Sequence, residues 1–172
     1  ALNEVEKICE DIDAFATITL GQRHILFEMG ETELICRRLE GDFLDYKNAI
    51  PRRNPISVTV DTKAMLESLD RVSVVISEKL KSPVRCIFEQ DRVLLSAKTA
   101  NGDAKDVCRI DGDGQGLEIG FNNRYLMDAL RFAPADELKL ELNTGISPAI
   151  LVPTDGEESF LYMVLPVRLK AQ

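Results

Sequence analysis

One order of elements recurs along this chain of 172 residues and restricts what it can fold into: a strand, a helix, then three strands. The clearest copy begins at Ile56. Ile56-Ser57-Val58-Thr59-Val60 alternates apolar and polar residues, as a strand with one buried face must. Asp61-Thr62 then offers an N-cap, and Leu66, Leu69 and Val72 recur at helical spacing, which predicts a helix from Lys63 to Ile76. Strand-like runs follow at Val84 to Phe88, Arg92 to Lys98 and Ala104 to Ile110. They are parted by Gln90-Asp91 and by Asn101-Gly102, a pair that tolerates positive φ and signals a hairpin.

A further copy starts at Leu117 to Phe121. Asn122 or Asn123 caps a helix reaching about Arg131, with Leu126 and Leu130 on one face and Met127 beside them. Strands are expected at Glu137 to Leu142, Ala149 to Val152 and Phe160 to Val167. The N-terminal stretch repeats the pattern without its first strand: a helical stripe of Leu2, Val5, Ile8 and Cys9, then strands at Phe15 to Leu20, His24 to Met29 and Glu33 to Leu39. The period is about 55 to 60 residues.

One such unit cannot cover both its helix stripe and its sheet face, whereas two packed together can, with paired helices backed by antiparallel sheets. The expected class is therefore α+β. Residues 56–172 should form a complete domain and residues 1–50 half of another, whose partner half is expected upstream. Pro51-Arg52-Arg53-Asn54-Pro55 reads as the connector, since its prolines discourage helix and sheet pairing.

Several function classes lose support from composition. The net charge of −8 argues against a simple nucleic-acid binder with an all-basic footprint. None of the four cysteines, Cys9, Cys36, Cys86 and Cys108, sits in a C-x-x-C pair, and their apolar neighbours predict buried free thiols in a reducing cytoplasm. His24 is the sole histidine, which removes His-pair metal sites and weakens acid–base schemes. No run approaches the roughly 20 apolar residues of a membrane span. The polar start, Ala1-Leu2-Asn3-Glu4, has neither signal-peptide character nor an initiator Met, so an internal cut from a longer protein is expected.

Asp111-Gly112-Asp113-Gly114-Gln115-Gly116 resembles a calcium-loop opening, but Asn122 stands where the twelfth-position Glu is needed; it reads as a turn between repeats. Asp155, Glu157 and Glu158 read as a solvated acidic turn rather than a carboxylate pair. No catalytic, cofactor or metal site is expected.

Two motifs narrow the reading. Glu40-Gly41-Asp42-Phe43-Leu44-Asp45-Tyr46-Lys47-Asn48-Ala49-Ile50-Pro51 resembles the Gly-x-Phe-Pro-Asp-Tyr…Pro connector of bacterial sliding clamps, the beta subunits of DNA polymerase III. Tyr162-Met163-Val164-Leu165-Pro166-Val167-Arg168-Leu169 resembles that family's C-terminal tail, Met-Pro-Met-Arg-Leu or a close variant. Leu44 replaces a frequent Pro, Leu165 and Val167 replace Met, and Lys170-Ala171-Gln172 extends past the usual final Leu. The resemblance covers essentially the whole chain.

The resemblance implies a DNA-clamp fold and a non-catalytic, cytoplasmic processivity factor. Head-to-tail homodimer rings would enclose duplex DNA without reading its sequence. Partners would be the polymerase III alpha subunit, the clamp loader and other proteins carrying clamp-binding peptides. It further implies a peptide groove to which this chain contributes Leu44, Ala49, Asn122, Tyr125, Ile146, Pro148, Met163, Val164, Leu165, Pro166, Val167 and Arg168. Strand alternation puts some of these inward. The family's Thr-x-Gly-His-Arg-Leu groove segment is not found, so an incomplete groove is expected. Candidate DNA-facing residues are Arg71, Lys79, Lys81, Arg124 and Arg131, against an ordinary solvated face; Lys7, amid acids, reads as the latter. Val74 and Val75 fall at the implied ring interface. The competing readings are a duplicated α+β protein-interaction module without a DNA role, and a small α+β hydrolase or transferase using the acidic cluster, which lacks a nucleophile–base pair.

Overall fold

The computed structural model describes residues 2–9, 15–76, 82–100, 102–157 and 159–169. It divides into two compact units, Ala1–Asp45 and Tyr46–Gln172. The division falls ahead of the connector expected from sequence at 51–55, because the short helix at Tyr46–Ala49 belongs with the second unit.

The first unit comprises α1 (Leu2–Ile8), β1 (Ala16–Leu20), β2 (His24–Met29) and β3 (Thr32–Arg37). The strands form an antiparallel sheet in the order β1-β2-β3. Register places Ile18, Phe27 and Leu34 in one row and Leu20, Ile25 and Cys36 in the next, on one face. Of these only Phe27 is buried, and Ile18 and Leu20 stand exposed. The Cys9 thiol lies 3.2 Å from Met29 Sδ, joining the end of α1 to the sheet.

The second unit comprises α2 (Tyr46–Ala49), β4 (Ile56–Asp61), α3 (Thr62–Ser73), β5 (Val84–Thr99), β6 (Gly102–Phe121), α4 (Asn123–Phe132), β7 (Glu137–Leu142), β8 (Ala149–Pro153) and β9 (Tyr162–Val164). Its six strands run in the order β5-β6-β4-β7-β8-β9. Both helix starts follow from capping: Asp61 accepts a bond from Ala64 N–H and Asn122 from Arg124 N–H. Met65, Leu69 and Val72 of α3 and Leu126, Ala129 and Leu130 of α4 are buried in one cluster with Val58, Phe88, Leu95, Ile110, Leu140 and Leu151. Paired helices backed by sheet are thus as expected.

Four expectations need correction. Helix α3 ends at Ser73 rather than Ile76, with Ile76 N–H bonded to the Ser73 carbonyl in a closing turn. The runs 84–88 and 92–98 are one strand, β5, carried through Gln90-Asp91 by register shifts with Asp91 at φ 60°. Likewise 104–110 and 117–121 are one strand, β6, so Asp111 to Gly116 is not a turn between repeats. Four steps on β5, from 88 to 92, face eight on β6, from 109 to 117. That surplus bends the ribbon, with Gly112, Gln115 and Gly116 at positive φ. The last strand shrinks to Tyr162–Val164, because Pro166 lacks the N–H that would continue a ladder.

The bend lets β6 serve two neighbours. Its middle pairs with β4 through Ile110 and Asp111, and its last residue, Phe121, bridges to Pro166 in the tail. Cys86 and Cys108 are buried as predicted, and burial pushes both thiols above the usual range. Cys36 is half-buried and Cys9 is exposed, against expectation, since the described residues of unit one supply little that could cover them.

Candidate functional site

The tail, the β7–β8 loop and the start of α4 meet at the end of β6. Val167 N–H donates to the Gly120 carbonyl at 2.7 Å, next to the Phe121–Pro166 bridge. Asn122 follows directly as the α4 cap, and Tyr125 lies one turn on. The β8–β9 register pairs Ala149 with Val164, so Pro148 and Leu165 come next across the ladder. The loop between Asn143 and Pro148 closes through Ser147 N–H to the Thr144 carbonyl, and a methyl group on Gly145 would lie 2.5 Å from the Glu118 carbonyl oxygen.

This convergence leaves an apolar set open to solvent. Tyr125 is 62% exposed, Ile146 78%, Leu165 61% and Val167 36%. Scattered exposed apolar residues are ordinary, but apolar residues gathered at one place on a surface mark a site where something docks. Pro148, Met163 and Pro166 are half-buried and Arg168 is exposed. Val164 is the exception among the predicted residues: it is buried in the core and presents almost no surface. Strand alternation explains this, turning 164 inward and its neighbours outward. Ala49 is exposed on α2, and Leu44 is exposed in the first unit.

Between the end of α3 and the start of α4 lies a polar cleft of about 620 Å³, lined in part by Ser73, Ser82, Asn122, Arg124, Asp128 and Arg131. The predicted DNA-facing arginines border or flank this helix pair, and each has a carboxylate partner. Arg71 Nε meets Asp106 Oδ2 at 2.7 Å, while Arg124 and Arg131 share Asp128 at 3.8 and 3.5 Å. Lys79 and Lys81 lie outside the described residues. Val74 is exposed at the end of α3, and the Val75 carbonyl accepts from Thr99 Oγ1 at 3.0 Å.

Sequence reading missed the Arg71 network. Burial alone would raise the Asp106 carboxyl, but bonds from Val107 N–H, Arg71 and Ser68 together hold it below the usual range. Ser68 is buried and accepts from Arg71 at 3.0 Å. The signal was available: Ser68 occupies the same helical stripe as Met65, Leu69 and Val72, so a polar group there must find a partner. Asp155 and Glu157 stand exposed, with Glu157 N–H bonded to Asp155 Oδ1 as in an ordinary Asx turn; Glu158 lies outside the described residues.

Two strand–helix–strand halves, sharing one bent ribbon and one helix-centred core, define a clamp-type α+β domain. The chain belongs to the DNA polymerase III beta-subunit family, the bacterial sliding clamps: residues 47–168 match the family model described as DNA polymerase III beta subunit, C-terminal domain. The beta sliding clamp of a Synechocystis species is 31% identical over 173 residues, covering 98% of this chain and 44% of that protein. The DNA polymerase III subunit beta of Pseudomonas aeruginosa superposes with a TM-score of 0.84 at 27% identity, covering 98% of this chain and 46% of that one. A sliding clamp from Bartonella birtlesii, solved bound to griselimycin, gives 0.83 at 28% identity, with coverages of 98% and 45%. The chain thus spans less than half the length of each of these relatives. Among the described residues no helix is long and apolar enough to cross a membrane.

Proposed function

We propose that this chain is part of a non-catalytic processivity factor that encircles duplex DNA in the cytoplasm as a ring of two copies. In this reading, residues 1–45 belong to a middle clamp domain and 46–172 to the C-terminal one. Polymerase III alpha subunit, clamp loader and other partners dock by short peptides on the apolar surface at the end of β6. The observation that carries the docking assignment is the exposed set Tyr125, Ile146, Leu165 and Val167, gathered from three segments of chain. Such a surface, built of flexible aliphatic side chains beside a few polar groups such as Asn122 and Arg168, accepts several related peptides. Ala49, Pro148, Met163 and Pro166 extend it, and Val74 with Val75 contributes to the ring interface.

A polarisation titration of a labelled Gln-Leu-x-Leu-Phe peptide against this chain tests the assignment. Saturable binding that Leu165→Asp abolishes supports it. Equal binding by the variant, or failure to bind both here and in a full-length protein, overturns it.

One observation favours a second reading, a protein-interaction module with no DNA role. Arg71, Arg124 and Arg131 all sit within ion-pair distance of a carboxylate, which mutes their attraction for phosphate. Charge reversal at Arg71 and Arg124 together discriminates the two: reduced DNA loading of the full-length protein favours the clamp, and unchanged loading favours the module.

A further inference from the structure

Gly120 is buried at the end of β6, yet its φ lies in the range any residue adopts, so conformation does not demand glycine there. Space does. A methyl group at this position would lie 2.6 Å from the Val167 carbonyl oxygen and 2.6 Å from Leu169 Cδ2. The leucine tip could swing aside, but the carbonyl belongs to the tail's backbone and moves only if the tail moves. The same glycine's carbonyl accepts the Val167 N–H at 2.7 Å, and Phe121 beside it bridges to Pro166. β9 holds the tail only as far as Val164, so the placement of Leu165, Pro166 and Val167 depends on this second attachment.

We infer that Gly120 is a positioning residue for partner docking: its bare backbone is the seat on which the C-terminal tail lies, and the seat presents Leu165 and Val167 to the incoming peptide. This inference rests on the docking surface proposed above. Gly120 touches no partner itself. It acts through the tail, and a side chain there would lift the tail from β6 without disturbing the helix-centred core.

The test pairs two readouts on the full chain: amide hydrogen exchange at Val167, and affinity for the labelled Gln-Leu-x-Leu-Phe peptide. Gly120→Ala should release the Val167 amide to near-solvent exchange and weaken the peptide about tenfold or more, by analogy with loss of a central interface anchor. Gly114→Ala is the control for simple destabilisation. A methyl group there would crowd the Phe88 backbone, 2.6 Å away at its carbonyl carbon, in the bent ribbon. It should lower thermal stability while leaving Val167 protection and peptide affinity of the folded protein unchanged. If Gly120→Ala does not fold, Leu169→Ala removes the side chain resting on the seat and should lower both the protection of the Val167 amide and the peptide affinity. Val167 protection that survives Gly120→Ala and Leu169→Ala overturns the seat. Protection lost with affinity retained overturns the positioning role. A wild-type chain that binds no peptide, alone or within the full-length protein, refutes the docking surface, and exchange at Val167 still decides the seat.

Discussion

The two units draw on one pattern of helix and strands, present once without its first strand in the first unit and twice in the second, and their cores differ. In Tyr46–Gln172 a second copy of the pattern supplies the helix and sheet that the first lacks, and fully buried side chains from α3, α4 and the sheet interlock. In Ala1–Asp45 the described residues form one helix and three strands without that second copy. Among the described residues its apolar face keeps a single buried large residue, Phe27, while α1 buries none of its own. The same kind of patterning therefore stands covered in the unit that holds two copies and open among the described residues of the unit that holds one. Patterning specifies which face must be covered, and only a second layer covers it.

The largest expected consequence is in local stability. Amides of β2 should exchange orders of magnitude faster than those of β4 and β7, because local opening follows the density of buried apolar contacts. Comparable protection in the two sheets would show that the first unit is completed by something else, and would remove the contrast. Next is the response to truncating apolar side chains. Leu69→Ala, at a fully buried position of α3, should cost about 2–5 kcal/mol in urea unfolding. Leu20→Ser, on the open face of unit one, should change stability by less than about 0.5 kcal/mol. A large cost at Leu20 would mean that its face is packed.

Much of this contrast was legible in the sequence. The periods of Ile56 to Val60 and of Leu66, Leu69 and Val72 placed β4 and α3, Asp61 marked the start of α3 to within a residue, and the cap of α4 was narrowed to Asn122 or Asn123, of which Asn122 takes the role. The bend in β6 was not legible. Gly112, Gly114 and Gly116 look like a turn because glycine permits positive φ, but a bulged strand needs the same freedom, and only pairing with β5 tells the two apart. The apolar surface was partly legible. Alternation along Met163 to Val167 said that one face is inward but not which, and the ladder to Ala149 settled that Val164 is the inward one. The Gly120 seat had no local signature, since its requirement for space arises from residues more than forty positions later.

A smaller effect separates the two units by pH. Asp106 in the second unit has its folded-state pKa depressed, so it contributes stability that is present above the unfolded-state value of about 4 and is lost as pH falls through the folded value. Asp106→Asn should therefore cost up to about 1 kcal/mol near neutral pH, a figure kept low because Arg71 is largely exposed. The difference between variant and wild type should shrink as pH drops below the carboxylate range in urea titrations. A deficit independent of pH would assign the effect to lost packing of Ser68 and Arg71 instead.

The smallest effect is expected at the pair Arg37–Glu40 in the first unit, which at 2.9 Å is nearly as short as Arg71–Asp106. Distance is a poor guide here, and surroundings decide. Both partners of Arg37–Glu40 are mostly open to water, so their attraction is screened and offset by the entropy of holding two long side chains. Asp106, by contrast, is mostly covered and also bonded to Ser68 and to the backbone. Glu40→Gln should leave the unfolding midpoint unchanged at low and moderate salt alike. A salt-dependent loss at Glu40 would show that the first unit's surface charges are organised as tightly as those flanking α3, and that only the apolar layer distinguishes the two units.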